Sequence, residues 1–200
     1  MESAQTDFIS VLNSMLLLID YNADMLAQVT SGDRRTIKDA ATASAKAASI
    51  LNVPVLLTAS ERNRDYLKEI AELFPKQEIF VRKSIASNAL VDEAVRLRLR
   101  RYGRDKLVIA GLWTSESFAE TALGALKEGY DVFGLIDACG DTSVERHNYG
   151  VHRMLKAGLN PITWMSLASE WMNGWADPME NDSDDITGKY NVMLSHLSRQ

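Results

Sequence analysis

A chain of 200 residues with 46% hydrophobic and 24% charged side chains has the length of one domain, or of a domain with a tail, and can bury roughly 70% of the surface its unfolded form exposes. Its single cysteine, Cys139, cannot form an intramolecular bridge and no Cys/His spacing resembles a zinc site, which excludes a disulfide-rich secreted module and points to a reducing cytoplasm. Acidic residues outnumber basic ones by 27 to 22, a net charge of −5, which disfavours a general grip on nucleic acid or an anionic membrane and leaves small molecules or proteins as expected partners.

No apolar run approaches the ~20 residues that cross a bilayer. The first ten residues carry Glu2 and Asp7 and lack the basic start and long apolar stretch of a signal peptide. Met15, three leucines and Ile19, closed by Asp20, read as a first strand buried on both faces. An alanine-rich stretch over 34–51 places Ile37, Ala41, Ala45, Ala48 and Leu51 on one helical face. Residues 53–59 predict a second strand, with Pro54 tolerated near its start.

The alternation continues along the chain. Residues 66–74 predict a helix, 78–82 a strand, and 89–102 a helix capped by Gly103. The apolar run 106–111 is the clearest buried strand. A helix over 117–128 ends at Gly129, and 131–138 predicts the next strand. Thr142 and Glu145 have the spacing of a capping box for a helix reaching Ala157, stopped by Gly158. Residues 161–165 give a sixth strand and 167–175 a last helix. Six strand and helix units in strict alternation predict an α/β fold, a three-layer αβα sandwich with a doubly wound six-stranded parallel sheet. A barrel needs eight units and ~250 residues. The domain is expected to span 1–178, with 179–200 a C-terminal extension packing on it or on a neighbouring subunit.

In open parallel sheets ligands collect at the carboxyl ends of the strands. Those ends supply Asp20, Ser60 and Glu61, Lys83, the stretch from Trp113 to Ser117, and the stretch from Asp137 to Asp141. Asp20, Lys83 and Ser117 would bring together a carboxylate, an ammonium and a hydroxyl at a helix start, a set suited to acyl transfer; the competing structural reading is an ion pair at the sheet edge. After the first strand comes Tyr21-Asn-Ala-Asp24, without the glycine fingerprint of a dinucleotide site. No phosphate-binding loop and no Gly-x-Ser-x-Gly elbow occurs, so no cofactor is expected.

Several runs taken in order carry a resemblance: Leu17-Leu-Ile-Asp-Tyr-Asn22, Arg82-Lys-Ser-Ile-Ala-Ser-Asn-Ala89, Leu107-Val-Ile-Ala-Gly-Leu-Trp-Thr114, Thr121-Ala-Leu-Gly-Ala-Leu-Lys-Glu-Gly-Tyr-Asp-Val132 and Asp137-Ala138. Together they resemble the isochorismatase-like cysteine hydrolases. Pro161-Ile-Thr-Trp-Met-Ser-Leu-Ala-Ser-Glu170 and Trp175-Ala-Asp177 are similar to the YcaC-like branch in particular. The resemblance covers roughly residues 10–178 in register with the six-unit pattern. It implies a cofactor-independent hydrolase of small amide, nitrile-related or vinyl ether substrates, homo-oligomeric in this branch, with Asp, Lys and Cys at the ends of strands one, three and four.

Asp20 and Lys83 match the first two, while Ser117 stands where the pattern has cysteine. A thiol of reference pKa ~8.5 is activated by an adjacent carboxylate and cation, whereas an alkanol needs a histidine base or a neutral lysine. Three readings follow: a replaced cysteine, a native serine in a ligand-binding member without turnover, or a nucleophilic Ser117. Glu116 is a second departure, because the family places an apolar residue there, around a cis peptide whose amides help form the oxyanion hole. A carboxylate at that point opposes a developing oxyanion unless it turns away. Trp113 and Asn88 complete the expected pocket with Glu116.

Other features take structural readings. Cys139 lies near the mouth but off the nucleophile position and reads as a small buried hydrophobe. His147 and His152 lie five apart, missing the spacing of a helical metal pair, His196 is remote, and the metal-binding histidine pattern of the related nicotinamidases is absent. No metal is expected. The basic run from Arg96 to Lys106 reads as a solvated helix end. Trp171 and Trp175 share a helical face that must be buried, which points to a subunit interface. Asn181-Asp-Ser183 matches a glycosylation acceptor that a chain without a leader would never use.

Overall fold

The computed structural model describes residues 8–173, apart from 63, 77–78 and 84–85. Strands β1 (Ser14–Ile19), β2 (Val55–Ser60), β3 (Phe80–Arg82), β4 (Lys106–Gly111), β5 (Asp131–Leu135) and β6 (Asn160–Ile162) alternate with helices α1 (Ala23–Ala27), α2 (Arg34–Ile50), α3 (Lys68–Ala71), α4 (Glu93–Tyr102), α5 (Ala119–Lys127), α6 (Val144–Lys156) and α7 (Trp164–Asn173). All strand pairs are parallel, in the order β3-β2-β1-β4-β5-β6. The chain winds outward from β1 to β3, returns beside β1 and winds outward again. The crevice rule therefore places a ligand between the carboxyl ends of β1 and β4.

Period-two alternation explains why β1 reads as an unbroken apolar run. Leu16 and Leu18 face one core with α2 and α7, while Met15, Leu17 and Ile19 face the other with α4, α5 and α6. Alanine suits α2 because Ala41, Ala45, Ala47 and Ala48 are wholly buried and bring the helix close to the sheet. Its start is held by Asp33, whose carboxylate accepts from the Thr36 N–H at 2.8 Å and the Thr36 hydroxyl at 2.7 Å. Gly103, at φ +62°, ends α4 as expected. These layers are the three-layer doubly wound α/β sandwich that the sequence predicts.

Several expectations change. The cap of α6 is Ser143, whose hydroxyl accepts from the Arg146 N–H, whereas the Thr142 N–H donates to Asp141. Trp164 opens α7 rather than extending a strand, because its N–H is accepted by the Asp137 carboxylate. Trp171 is wholly buried within its own chain, where its indole N–H donates to the Ser14 hydroxyl at 2.8 Å. It is a core residue that closes the domain on the base of β1. Trp175, the glycosylation-like triplet and the 179–200 extension lie outside the described residues. Among the described residues no helix is long and apolar enough to cross a membrane.

Candidate functional site

Asp20 is the first residue beyond β1 and has a left-handed backbone, φ +56°, which turns the chain sharply at the sheet's edge. Its side chain is buried. One carboxylate oxygen accepts the Ser60 N–H at 2.8 Å. The other accepts a guanidinium N–H of Arg82 at 2.5 Å, with both side chains at most 3% exposed. Arg82 also donates to the Ser87 carbonyl at 3.2 Å, and its Nε has no partner among the described residues.

The sequence points to Lys83 as the cation, and the structure pairs Asp20 with Arg82 instead. Successive strand residues point to opposite faces, so only one of the two can turn toward Asp20. In this register Arg82 stands beside Ser60 and takes that side. Lys83 is exposed, its backbone N–H donates to Asp92 at 3.2 Å, and it is among the residues that line the same cleft.

Opposite Asp20, β4 runs into a tight turn. Gly111 pairs with Ile19, and a methyl group there would lie 2.8 Å from the Ile19 Cβ; glycine lets the two strands close at the crevice. The cis peptide lies at Leu112–Trp113, four residues before the expected position. One π-helical turn, Thr114–Phe118, follows, with the Phe118 N–H donating to the Trp113 carbonyl at 3.3 Å. Ser117 sits on this turn, 8% exposed, and lines the cleft with Trp113 and Glu116. Its hydroxyl has no hydrogen-bond partner among the described residues. The Trp113 indole N–H donates to the Met25 carbonyl at 3.1 Å, which fixes the ring as one wall.

The turn is held from behind by α6. Asp141 is wholly buried and accepts the Ser115 N–H at 2.7 Å and the Arg146 Nε–H at 3.0 Å. Burial alone would lift its carboxyl, but hydrogen bonds from Ser115, Thr142 and Arg146 hold it below the usual carboxylate range. Arg146 also pairs with Glu116, so the carboxylate beside Ser117 is drawn toward a cation outside the cleft. The His147 Nδ1 lies 3.0 Å from the Thr114 hydroxyl, and burial pulls its imidazole below the ordinary value.

The candidate Asn88 packs away from the cleft, and Cys139 is buried as the sequence reading has it. Asn88 accepts the Leu90 N–H at 2.9 Å and lies against α5, where a methyl on Gly124 would come within 2.6 Å of its amide nitrogen; Ser87 and Ala86 line the cleft in its place. The buried Cys139 thiol donates to the Ile136 carbonyl at 3.1 Å, and burial pushes it up to about 12, which leaves it without thiolate character. The cleft has a volume of about 430 Å³ and draws on the ends of β1, β2, β3 and β4. Asp20 and Ser117, 97 positions apart, are brought together there. Asp141 belongs to the strand-end stretch read from the sequence, whereas Arg82, Arg62 and Arg146 are the residues that sequence reasoning passed over. Of these, only the buried end of β3 carried a signal, in the adjacency of Arg82 to Lys83.

The Isochorismatase domain family matches residues 14–166. The probable hydrolase YcaC of Escherichia coli (strain K12) is 29% identical over 192 residues, covering 92% of this chain and 91% of its own. Its crystal structure, of an octameric hydrolase of unknown specificity, superposes with a TM-score of 0.80, covering 96% of this chain and 98% of that one at 27% identity. YcaC of Pseudomonas aeruginosa, solved with hexane-2,5-diol and covalent acrylamide, gives a TM-score of 0.83 at 27% identity over 98% of this chain and 96% of that one. The isochorismatase of Bacillus subtilis (strain 168) is 31% identical over 135 residues, 66% of this chain and 42% of its own.

Proposed function

We infer the function from the premise that the chain belongs to the isochorismatase family, a family of hydrolases: its cleft binds a small amide-like carbonyl compound, and with Ser117 at the nucleophile position it holds that compound without turnover. The observation that carries this reading is the buried pair of Asp20 and Arg82 at the crevice, facing a turn whose side chain is an alcohol. In this reading Ser117 occupies the place of the family's cysteine, Asp20 that of the proton acceptor and Arg82 that of the buried cation, with Lys83 at the rim. The hydroxyl of Ser117 has no base within hydrogen-bond reach among the described residues, and His147 is turned to Thr114. Alcohol nucleophiles depend on such a base. Cys139 cannot substitute, being buried and protonated. The covalent acrylamide of the Pseudomonas relative supports a small, electrophilic amide as the kind of ligand. The reading extends to work in a reducing cytoplasm and, after the octameric relative, to self-association.

Ser117→Cys is the deciding variant. A thiol, far more acidic than an alcohol, would pass its proton to Asp20 through a water in the cleft and attack the carbonyl carbon as the thiolate; the amine would leave with that proton, and a second water would release the acid from the thioester and restore the thiol. Purified wild type is expected to bind simple primary amides by calorimetry without releasing ammonia, and S117C to release it and to gain one acrylamide by mass spectrometry. Turnover by wild type that Ser117→Ala abolishes would overturn the binding reading in favour of a serine hydrolase. Inertness of both forms, with no ligand bound, would overturn the site altogether.

A further inference from the structure

Residues 96–104 hold five arginines and no lysine. Arg96 and Arg100 share the Glu128 carboxylate, at 3.8 and 3.5 Å. Arg101 is exposed, Arg98 and Arg104 are partly exposed, and none of these three forms an ion pair among the described residues. A helix C-terminus welcomes cations, but like charges three or four positions apart repel one another, so this cluster is left short of an anion. Next to it, Phe74 and Tyr102 wall a hollow of about 370 Å³, and the Tyr102 hydroxyl feels the charge of Arg98. The cluster stands at the amino edge of the sheet. Lys106, two positions after Arg104, pairs in register with Ser14, and the Ser14 hydroxyl takes the Trp171 indole, so α7 reaches Asn173 beside that same edge. The residues that follow Asn173 lie outside the described ones. From Asp177 to Asp185 they carry five acids and no base, and those five equal the chain's whole net charge of −5.

We propose that the acidic stretch 177–185 folds back on its own chain, where Arg98, Arg101 and Arg104 take its carboxylates and Met179 enters the hollow between Phe74 and Tyr102. Charge complementarity supports this occupant: five acids meet three cations that have no acid of their own among the described residues. Arginine rather than lysine suits the task, because its fork offers a carboxylate two parallel N–H donors. Reach supports it too. Asp185 lies twelve residues beyond Asn173, and an extended chain of that length spans ~40 Å, well over the ~15 Å radius of gyration of a domain of this size. Attachment to the same chain keeps the acids at a high local concentration. The stretch then acts as a built-in polyanion that shields α4 from nucleic acid and other anionic polymers.

Disulfide trapping tests this in the full chain, whose one thiol, Cys139, is buried and protonated. Under mild oxidation R101C/D184C is expected to close an intrachain disulfide ~10-fold faster than K156C/D184C, because docking concentrates the acids at one site; Lys156 is exposed at the end of α6, on the same edge of the sheet. The lead should disappear at high salt and when R98E/R104E is added to R101C/D184C, with the fold of each variant checked by circular dichroism. Equal rates for the two cysteine pairs overturn the proposal. So does a disulfide that joins two chains, which makes a second copy the occupant. Wild type held on immobilised heparin as firmly as D177N/E180Q/D182N/D184N/D185N also overturns it, since the arginines would then stand open to any polyanion.

Discussion

Adjacent residues at the end of β3 have opposite fates. Arg82 is buried and neutralises Asp20, whereas Lys83 is exposed, left unburied by the cleft it lines. Truncating Arg82 would strand a buried carboxylate, and breaking such a pair from one side costs ~3–5 kcal/mol. Arg82→Ala is therefore expected to lower the urea unfolding free energy by about that amount. Lys83→Ala should stay within ~0.5 kcal/mol of wild type, as exposed substitutions usually do. Equal effects of the two would contradict the assignment of the buried cation. The choice between these residues was not legible in the sequence. A shift of one position in register exchanges the faces of a strand, and a three-residue strand with only Arg82 buried has no alternation strong enough to declare its register.

The nucleophile turn owes its shape to the helix behind it. Gly150 of α6 packs on the turn so closely that a methyl group would lie 2.8 Å from the Ser115 Cα and 3.0 Å from the Thr114 carbonyl oxygen. These are backbone atoms that cannot swing aside, so Gly150→Ala is expected to cost ~1–3 kcal/mol and to weaken ligand binding by displacing Ser117. A chemical denaturation series with calorimetry on the same samples checks both; unchanged values would mean that α6 does not clamp the turn. At this scale the long apolar strands were legible: β4 was expected over 106–111 and is found as Lys106–Gly111. Short elements were not. The five-residue α1 was missed because its only signal is Asn22, whose side chain accepts from the Met25 N–H at 2.9 Å. The helix expected over 66–74 shrinks to Lys68–Ala71 because the Tyr66 hydroxyl reaches back to the Leu18 carbonyl and the Leu67 N–H to the Tyr21 carbonyl. Such long-range bonds leave no local pattern.

At the scale of the molecule, the fold needs no partner to bury its tryptophan at 171, so the proposed self-association must use other surfaces. Leu97 on α4, Val144 and Tyr149 on α6, and Met165 on α7 are large apolar side chains left open to solvent, in keeping with contacts between copies. Light scattering coupled to size exclusion is expected to give a mass well above one chain, and a monomer at micromolar concentration would refute it. The bond between Ser14 and Trp171 also has a consequence for the order of events at synthesis. β1 is made first, yet it lies at the centre of the sheet, and the group that closes its base arrives 157 positions later. Until β4 has been made one edge of β1 has no strand beside it, and until α7 has been made the Ser14 hydroxyl has no indole. The domain therefore completes itself only once α7 has been made, and a chain interrupted before α7 leaves an open apolar seam for chaperones or proteases to find.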